Sequence, residues 1–144
     1  MIRTPLRRSS RLRRTQGLRP HRKTRKGRIS EKTLDDLWSD VVRTRDGFVC
    51  QRCRVSFAHK KGSLDGAHVI GRKYRGTRWD PDNGVALCKP DHAFFGDNPV
   101  LAGRFFDAHV GWEQCDWLWA KARAAVKVDR AAVRAYLKAL LEKK

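Results

Sequence analysis

The chain has 144 residues and carries 33 Lys and Arg against 15 Asp and Glu, a formal net charge of +18. That length fits one domain, and no apolar run is long enough for a signal peptide or a membrane span. The charge balance favours nucleic acid as partner over a membrane or a small-molecule substrate.

The charge is unevenly placed. Residues 1–28 hold twelve basic residues and no acidic one. A block of like charge this dense repels itself and cannot bury a core, so 1–29 is expected to be a disordered arm that binds nucleic acid. Each phosphate it neutralises releases counterions, which adds affinity without sequence preference. A solubilising leader is the plainer reading. A transit peptide is a third, but Pro5, Gly17 and Pro20 interrupt the segment.

Ser30 is placed to cap a helix, with Glu31 in its first turn. Leu34, Leu37, Trp38, Val41 and Val42 then recur at helical spacing and make one apolar face. Gly47 ends it, and Phe48–Val49 reads as a short strand. Leu64–Ile70 is a second strand, Gly71–Trp79 a basic loop, and Val85–Leu87 a third strand. A helix begins near Pro90 and breaks at Asn98-Pro99. Helices are expected over Val100–His109 and Trp112–Val126, and a last one follows Asp129 with Val133, Tyr136, Leu137, Leu140 and Leu141 on one face. Phe94, Phe95, Phe105, Phe106, Trp112, Trp117 and Trp119 are assigned to the core. The order predicts an α+β fold, divided into the arm, a core over 30–99 and C-terminal helices over 100–144.

Four cysteines in a basic chain with no secretory signal favour metal over disulfides. Cys50-Gln51-Arg52-Cys53 is a metal knuckle. A second knuckle, Cys88-Lys89-Pro90-Asp91, has Asp91 where a fourth cysteine would complete a tetrahedral zinc site. A Cys3Asp zinc site is the favoured reading, with His92 or His59 as substitutes for the fourth ligand. The plainer alternative is three reduced thiols in the core. Cys115 lies too far along to fit and reads as an ordinary buried cysteine.

Phosphodiester hydrolysis needs a base for water and a metal to neutralise developing charge. His68, in the second strand, has the residue type for the base. A lone strand histidine is more often a core residue, and the case rests on its neighbours. Asn83 can orient an imidazole, because its amide oxygen accepts from a ring N–H. His92, with Asp65 or Asp91, can supply ligands to a divalent cation such as Mg2+ or Mn2+. Arg72, Arg75 and Arg78 lie between base and asparagine. Solvated loop charge is the default for them, and at least one is assigned to phosphate contact.

The run Cys-x-x-Cys, Ala-His-Val-Ile-Gly-Arg, Arg-Trp-Asp-Pro-Asp-Asn, Leu-Cys-x-x-x-His resembles phage and prophage HNH nucleases, closest to the lambdoid NinG/Rap type of recombination nuclease. The basic arm with Thr4-Pro5-Leu6-Arg7-Arg8, then Leu34-Asp35-Asp36-Leu37-Trp38 and Val42-Arg43-Thr44-Arg45-Asp46, is similar too, so the resemblance covers roughly residues 1–100. It implies a ββα-metal hairpin-helix core and metal-dependent nicking or cleavage of DNA, branched DNA included. The setting it implies is the cytoplasm of a bacterial host, with the protein encoded by a phage or prophage. It makes His68 the general base, Asn83 the orienting amide and His92 the helix metal ligand. Ala67 stands where such proteins commonly place a ligand directly before the base. The Asp-Gly-Ala-His stretch instead resembles the Asp-x-x-His form of some non-specific ββα-metal nucleases, which points to Asp65. The competing expectation is a non-catalytic zinc-knuckle nucleic-acid-binding protein on the same scaffold.

Overall fold

The computed structural model describes residues 27–124 and 126–143. The arm expected over 1–29 therefore lies, save for its last three residues, outside the described residues. Those described form a mixed α+β arrangement of five helices and one two-stranded antiparallel hairpin.

Helix α1 (Glu31–Arg45) starts where its cap was expected. The Ser30 hydroxyl accepts from the Thr33 amide, Glu31 sits in the first turn, and Arg43 and Arg45 sit in the last. Leu34, Trp38, Val41 and Val42 are buried. At the far end Arg45 donates to the Pro81 carbonyl at 2.8 Å and the Gly84 carbonyl at 2.6 Å, which fixes the helix against the hairpin.

The hairpin is β1 (Leu64–His68) paired with β2 (Gly84–Cys88), in a register that sets Leu64 opposite Cys88 and His68 opposite Gly84. β1 is two residues shorter than expected. Val69 and Ile70 leave the ladder because Asn83 takes over their amides, Val69 through its carbonyl and Ile70 through its side chain. The expected strand at Phe48–Val49 is no strand. It is a single bridge between Val49 and Ser56, and Phe48 has a positive φ of 56°.

Helix α2 (Lys89–Asp97) runs straight on from β2, with Pro90 in its first turn. The break at Asn98-Pro99 is a restart, since Pro99 opens α3 (Pro99–Val110), where its missing N–H costs nothing. α4 (Trp112–Arg123) ends three residues before Val126. α5 (Arg130–Glu142) is capped by Asp129, which accepts from the Ala131 and Ala132 amides.

α1 packs on one side against the hairpin and on the other against α5. One apolar cluster joins Leu34, Trp38, Leu64, Leu87, Phe95, Phe106 and Leu137, so it draws on both sides of position 99. α4 is held separately, by Leu118 and Ala122 on Ile70. Three of the assigned core aromatics are not core. Trp112, Trp117 and Trp119 are 67%, 48% and 37% exposed, while the buried tryptophans are Trp38 and Trp79. In α4 it is Leu118 and Ala122 that turn inward, onto Ile70.

The hairpin meets α1 across a glycine. A Cβ on Gly84 would lie 2.5 Å from Val42 Cγ2 and 2.6 Å from Trp38 Cζ2, both rigidly packed. Gly84→Ala should therefore destabilise the fold by about 1–3 kcal/mol, the usual range for overpacking. Urea unfolding reads it, and an unchanged midpoint would mean that Trp38 yields freely.

Candidate metal centre and groove

Cys50, Cys53, Cys88 and Asp91 come together with their ligand atoms all within 4.8 Å of one another. Three segments build this group. The turn Cys50–Cys53 is pinned to the hairpin by the Gln51 amide, which donates to the Ala86 carbonyl at 2.9 Å. Cys88 ends β2, and Asp91 sits in the first turn of α2. The Cys53 and Cys88 sulfurs are 3.9 Å apart, and Cys50 Sγ lies 3.2 Å from Asp91 Oδ2. A tetrahedral ion with metal–sulfur bonds of about 2.3 Å spaces its sulfurs about 3.8 Å apart, close to the Cys53–Cys88 separation.

The electrostatics suit a bound cation. Burial raises the Cys50 thiol, and burial with the neighbouring Asp91 and Cys50 pushes Cys88 up to about 12. A bound cation reverses that by stabilising the thiolates. Burial also raises Asp91, but hydrogen bonds from Cys50 and Arg52 outweigh it and hold the carboxyl below its ordinary value. Arg52 grips Asp91 Oδ1 at 2.5 Å and lies over the Phe94 ring at 4.1 Å. The other oxygen, Oδ2, is left facing the thiols. His92 stands apart from this group and is not its fourth ligand, and Cys115 is buried elsewhere.

On the other side of the hairpin an open groove is lined by Asp35, Asp36, Trp38, Asp65, His68, Arg72 and His92, among others. His92 Nδ1 is 3.3 Å from Asp65 Oδ2, both side chains being about half exposed. His68 lies at the end of β1, stacked on Trp38 with ring centroids 3.8 Å apart. Its Nε2–H donates to the Arg78 carbonyl at 2.9 Å, which leaves the lone pair on Nδ1. Burial lowers its pKa to about 4, against a partial rise from that carbonyl, so the ring is neutral at pH 7. Among the described residues no second group of three or more ligand residues gathers as the first one does.

Asn83 does not orient His68. It is fully buried, and its amide is spent on backbone, with Oδ1 accepting from the Ile70 N–H and Nδ2 donating to the Ile70 and Thr77 carbonyls. It closes the loop 71–77 on itself. The loop in turn supplies the Arg78 carbonyl that fixes the imidazole, so the amide acts one step removed.

The three loop arginines have different fates. Arg78 forks onto Asp35 at 3.0 and 2.7 Å and reaches Glu31 at 2.7 Å, and Trp79 Nε1 also donates to Asp35. Burial raises Asp35, but Arg78 and Trp79 hold it below its usual range. Arg75 pairs with Glu31 at 3.0 Å while remaining exposed. Arg72 lines the groove beside His68. Reading the sequence missed Asp35, Trp38 and Arg52. The one available signal was Glu31 and Asp35 at i, i+4 beside the apolar face of α1.

The low pKa of His68 has a measurable consequence. Above pH 6.5 the imidazole is neutral in both folded and unfolded chains and adds no pH dependence. Between 6.5 and about 4 the unfolded chain takes up a proton that the folded chain refuses, so stability falls with pH. Below about 4 both states are protonated and the loss levels off. Relative to the parent, His68→Gln should reduce the stability lost between pH 7 and pH 5 by about 2 kcal/mol at most. Urea midpoints at the two pH values test it, and an identical loss in both proteins would mean that the folded imidazole titrates normally.

Comparison of the chain with protein-family models, curated proteins and solved structures gives no match. No helix among the described residues is long and apolar enough to cross a membrane.

Proposed function

We propose that this protein is a metal-dependent endonuclease of the HNH kind, which nicks or cleaves DNA at a site built on the hairpin and α2. The observation that carries the reading is one open groove holding a neutral imidazole with a free Nδ1, an Asp65–His92 ligand pair and Arg72. His68 Nδ1 removes a proton from the attacking water. Asp65 and His92 would hold a divalent cation such as Mg2+ or Mn2+. Bound there, the cation would supply positive charge to offset what develops on the phosphate oxygens. Arg72 meets the phosphate, and Asn83 keeps the loop in place behind His68.

Zinc is the ion we assign to Cys50, Cys53, Cys88 and Asp91. Three thiolates suit it, and the donor spacing matches its bond lengths. Its role would be structural, because it would tie the Cys50–Cys53 turn to the junction of β2 and α2, which carries His92. The net charge of +18 supports DNA as the partner.

A second reading has its own support. The stacking of His68 on Trp38 also describes an imidazole that only packs, as in a zinc-knuckle protein that binds nucleic acid without cutting it. Supercoiled plasmid separates the two. The nuclease should give nicked circles with Mg2+ or Mn2+, none in EDTA, and recover when the cation is returned. Folded, zinc-loaded protein that fails to nick with every divalent ion tested leaves the non-catalytic reading.

A further inference from the structure

On the face of the molecule formed by α4 and α5, Trp117 and Tyr136 stand 48% and 55% exposed. They line one cleft of about 320 Å³, within the size of small-ligand clefts. Two large rings open to water in one cleft mark a candidate binding surface. Cations accompany them. Lys121 lies 4.7 Å from the centroid of the Trp117 ring. Arg75 lines the same cleft.

We propose that this cleft binds the unpaired bases of a single-stranded DNA segment, which stack on Trp117 and Tyr136. Flat aromatic faces beside cations suit bases of any sequence, provided the bases are free of a duplex. The floor is close to neutral, because Lys121 pairs with Asp80 at 2.5 Å and Asp82 also lies on the wall. That suits bases and excludes phosphates. The rim supplies the phosphate contacts. Lys127 and Arg134 are exposed and adjacent in sequence to the cleft residues Val128 and Val133. A second copy of the chain is the poorer occupant, since each copy carries +18 and would bring these cations together.

One loop borders both the cleft and the groove. A Cβ on Gly76 would lie 2.8 Å from the Lys121 carbonyl oxygen, so the loop and α4 meet backbone to backbone. The same loop lines the His68 groove with Gly71 and Arg72, and the aromatic cleft with Arg75 and Gly76. Three residues span at most about 11 Å, or about three stacked nucleotides. A duplex in the groove with an adjoining unpaired stretch would engage both. The inference rests on the reading that the partner is DNA, and it adds a preference for unpaired bases next to the cut.

Fluorescence anisotropy of the full, zinc-loaded chain on labelled oligo(dT), and on a duplex of equal length, tests it. Trp117→Ala and Tyr136→Ala should each weaken oligo(dT) binding roughly 5–100-fold, while duplex affinity holds within about two-fold. Trp117→Phe should retain most of the binding. Unchanged oligo(dT) affinity in a folded double variant overturns the proposal. So does an equal loss on single strand and duplex. A change of mass by light scattering without a change in oligo(dT) binding overturns it too, and assigns the face to self-association. Plasmid nicking by the parent is read separately. A parent that never nicks but shows the aromatic-dependent preference removes the nuclease reading and leaves the cleft.

Discussion

His68→Ala should lower metal-dependent nicking by about 10²–10⁴-fold, the usual contribution of a general base. The groove offers one imidazole whose protonation state and tautomer are both set. Burial keeps it neutral, and the Arg78 carbonyl takes the Nε2–H. Asp65 and His92, half exposed and 3.3 Å apart, are better suited to holding a cation than to taking a proton. The fold should survive, because the stack on Trp38 is a contact at the rim of a core that other residues fill. Circular dichroism and zinc content check that survival. A folded variant that nicks at the parental rate would show that another group activates water.

The second large effect is on the metal centre. Cys50→Ser should abolish stoichiometric zinc and destabilise the chain by several kcal/mol, since structural zinc contributes roughly 10–16 kcal/mol in small zinc-finger peptides. This chain has a larger core, so the loss should be smaller than that. Cys50 is fully buried, and Cys88 and Asp91 reach it from a separate segment at the junction of β2 and α2. Without the ion, Cys53, Cys88 with its raised pKa and a carboxylate held by Arg52 are left facing each other. Asp91→Cys should do the reverse and tighten zinc, by replacing the hardest ligand with a thiolate. Metal analysis of protein purified without added zinc, with a chelator competition on each variant, measures both. Well-folded parent protein without zinc would remove the assignment.

Both expectations use groups whose presence was legible in the sequence to different degrees. The spacing of Cys50, Cys53, Cys88 and Asp91 named the metal group, and the three-dimensional arrangement brings those four together. Knuckle spacing is a local constraint. Two donors separated by two residues face one point whatever the rest of the chain does, and only the pairing of two such turns is left to the fold. The helices were legible for a similar reason. Ser30 and Asp129 cap by side-chain bonds to amides two or three residues on, and the apolar spacing of α1 needs no partner to be recognised.

What the sequence could not determine is where long-range polar groups spend their bonds. Arg78 is tied to Asp35 and Glu31 rather than left in solvent, because packing α1 on the hairpin brings residues more than forty positions apart into contact. Asn83 has the residue type of an orienting amide, yet burial obliges it to satisfy the backbone of Ile70 and Thr77 first. The tryptophans of α4 were placed in the core on the character of their neighbours, and only the position of α4 leaves them open to water. Residue type and spacing determined which chemistry was available, through interactions that act over a few residues. Tertiary packing decided which of those groups remained free to perform it, because each buried donor and acceptor must find a partner, and the chain alone does not say which one arrives.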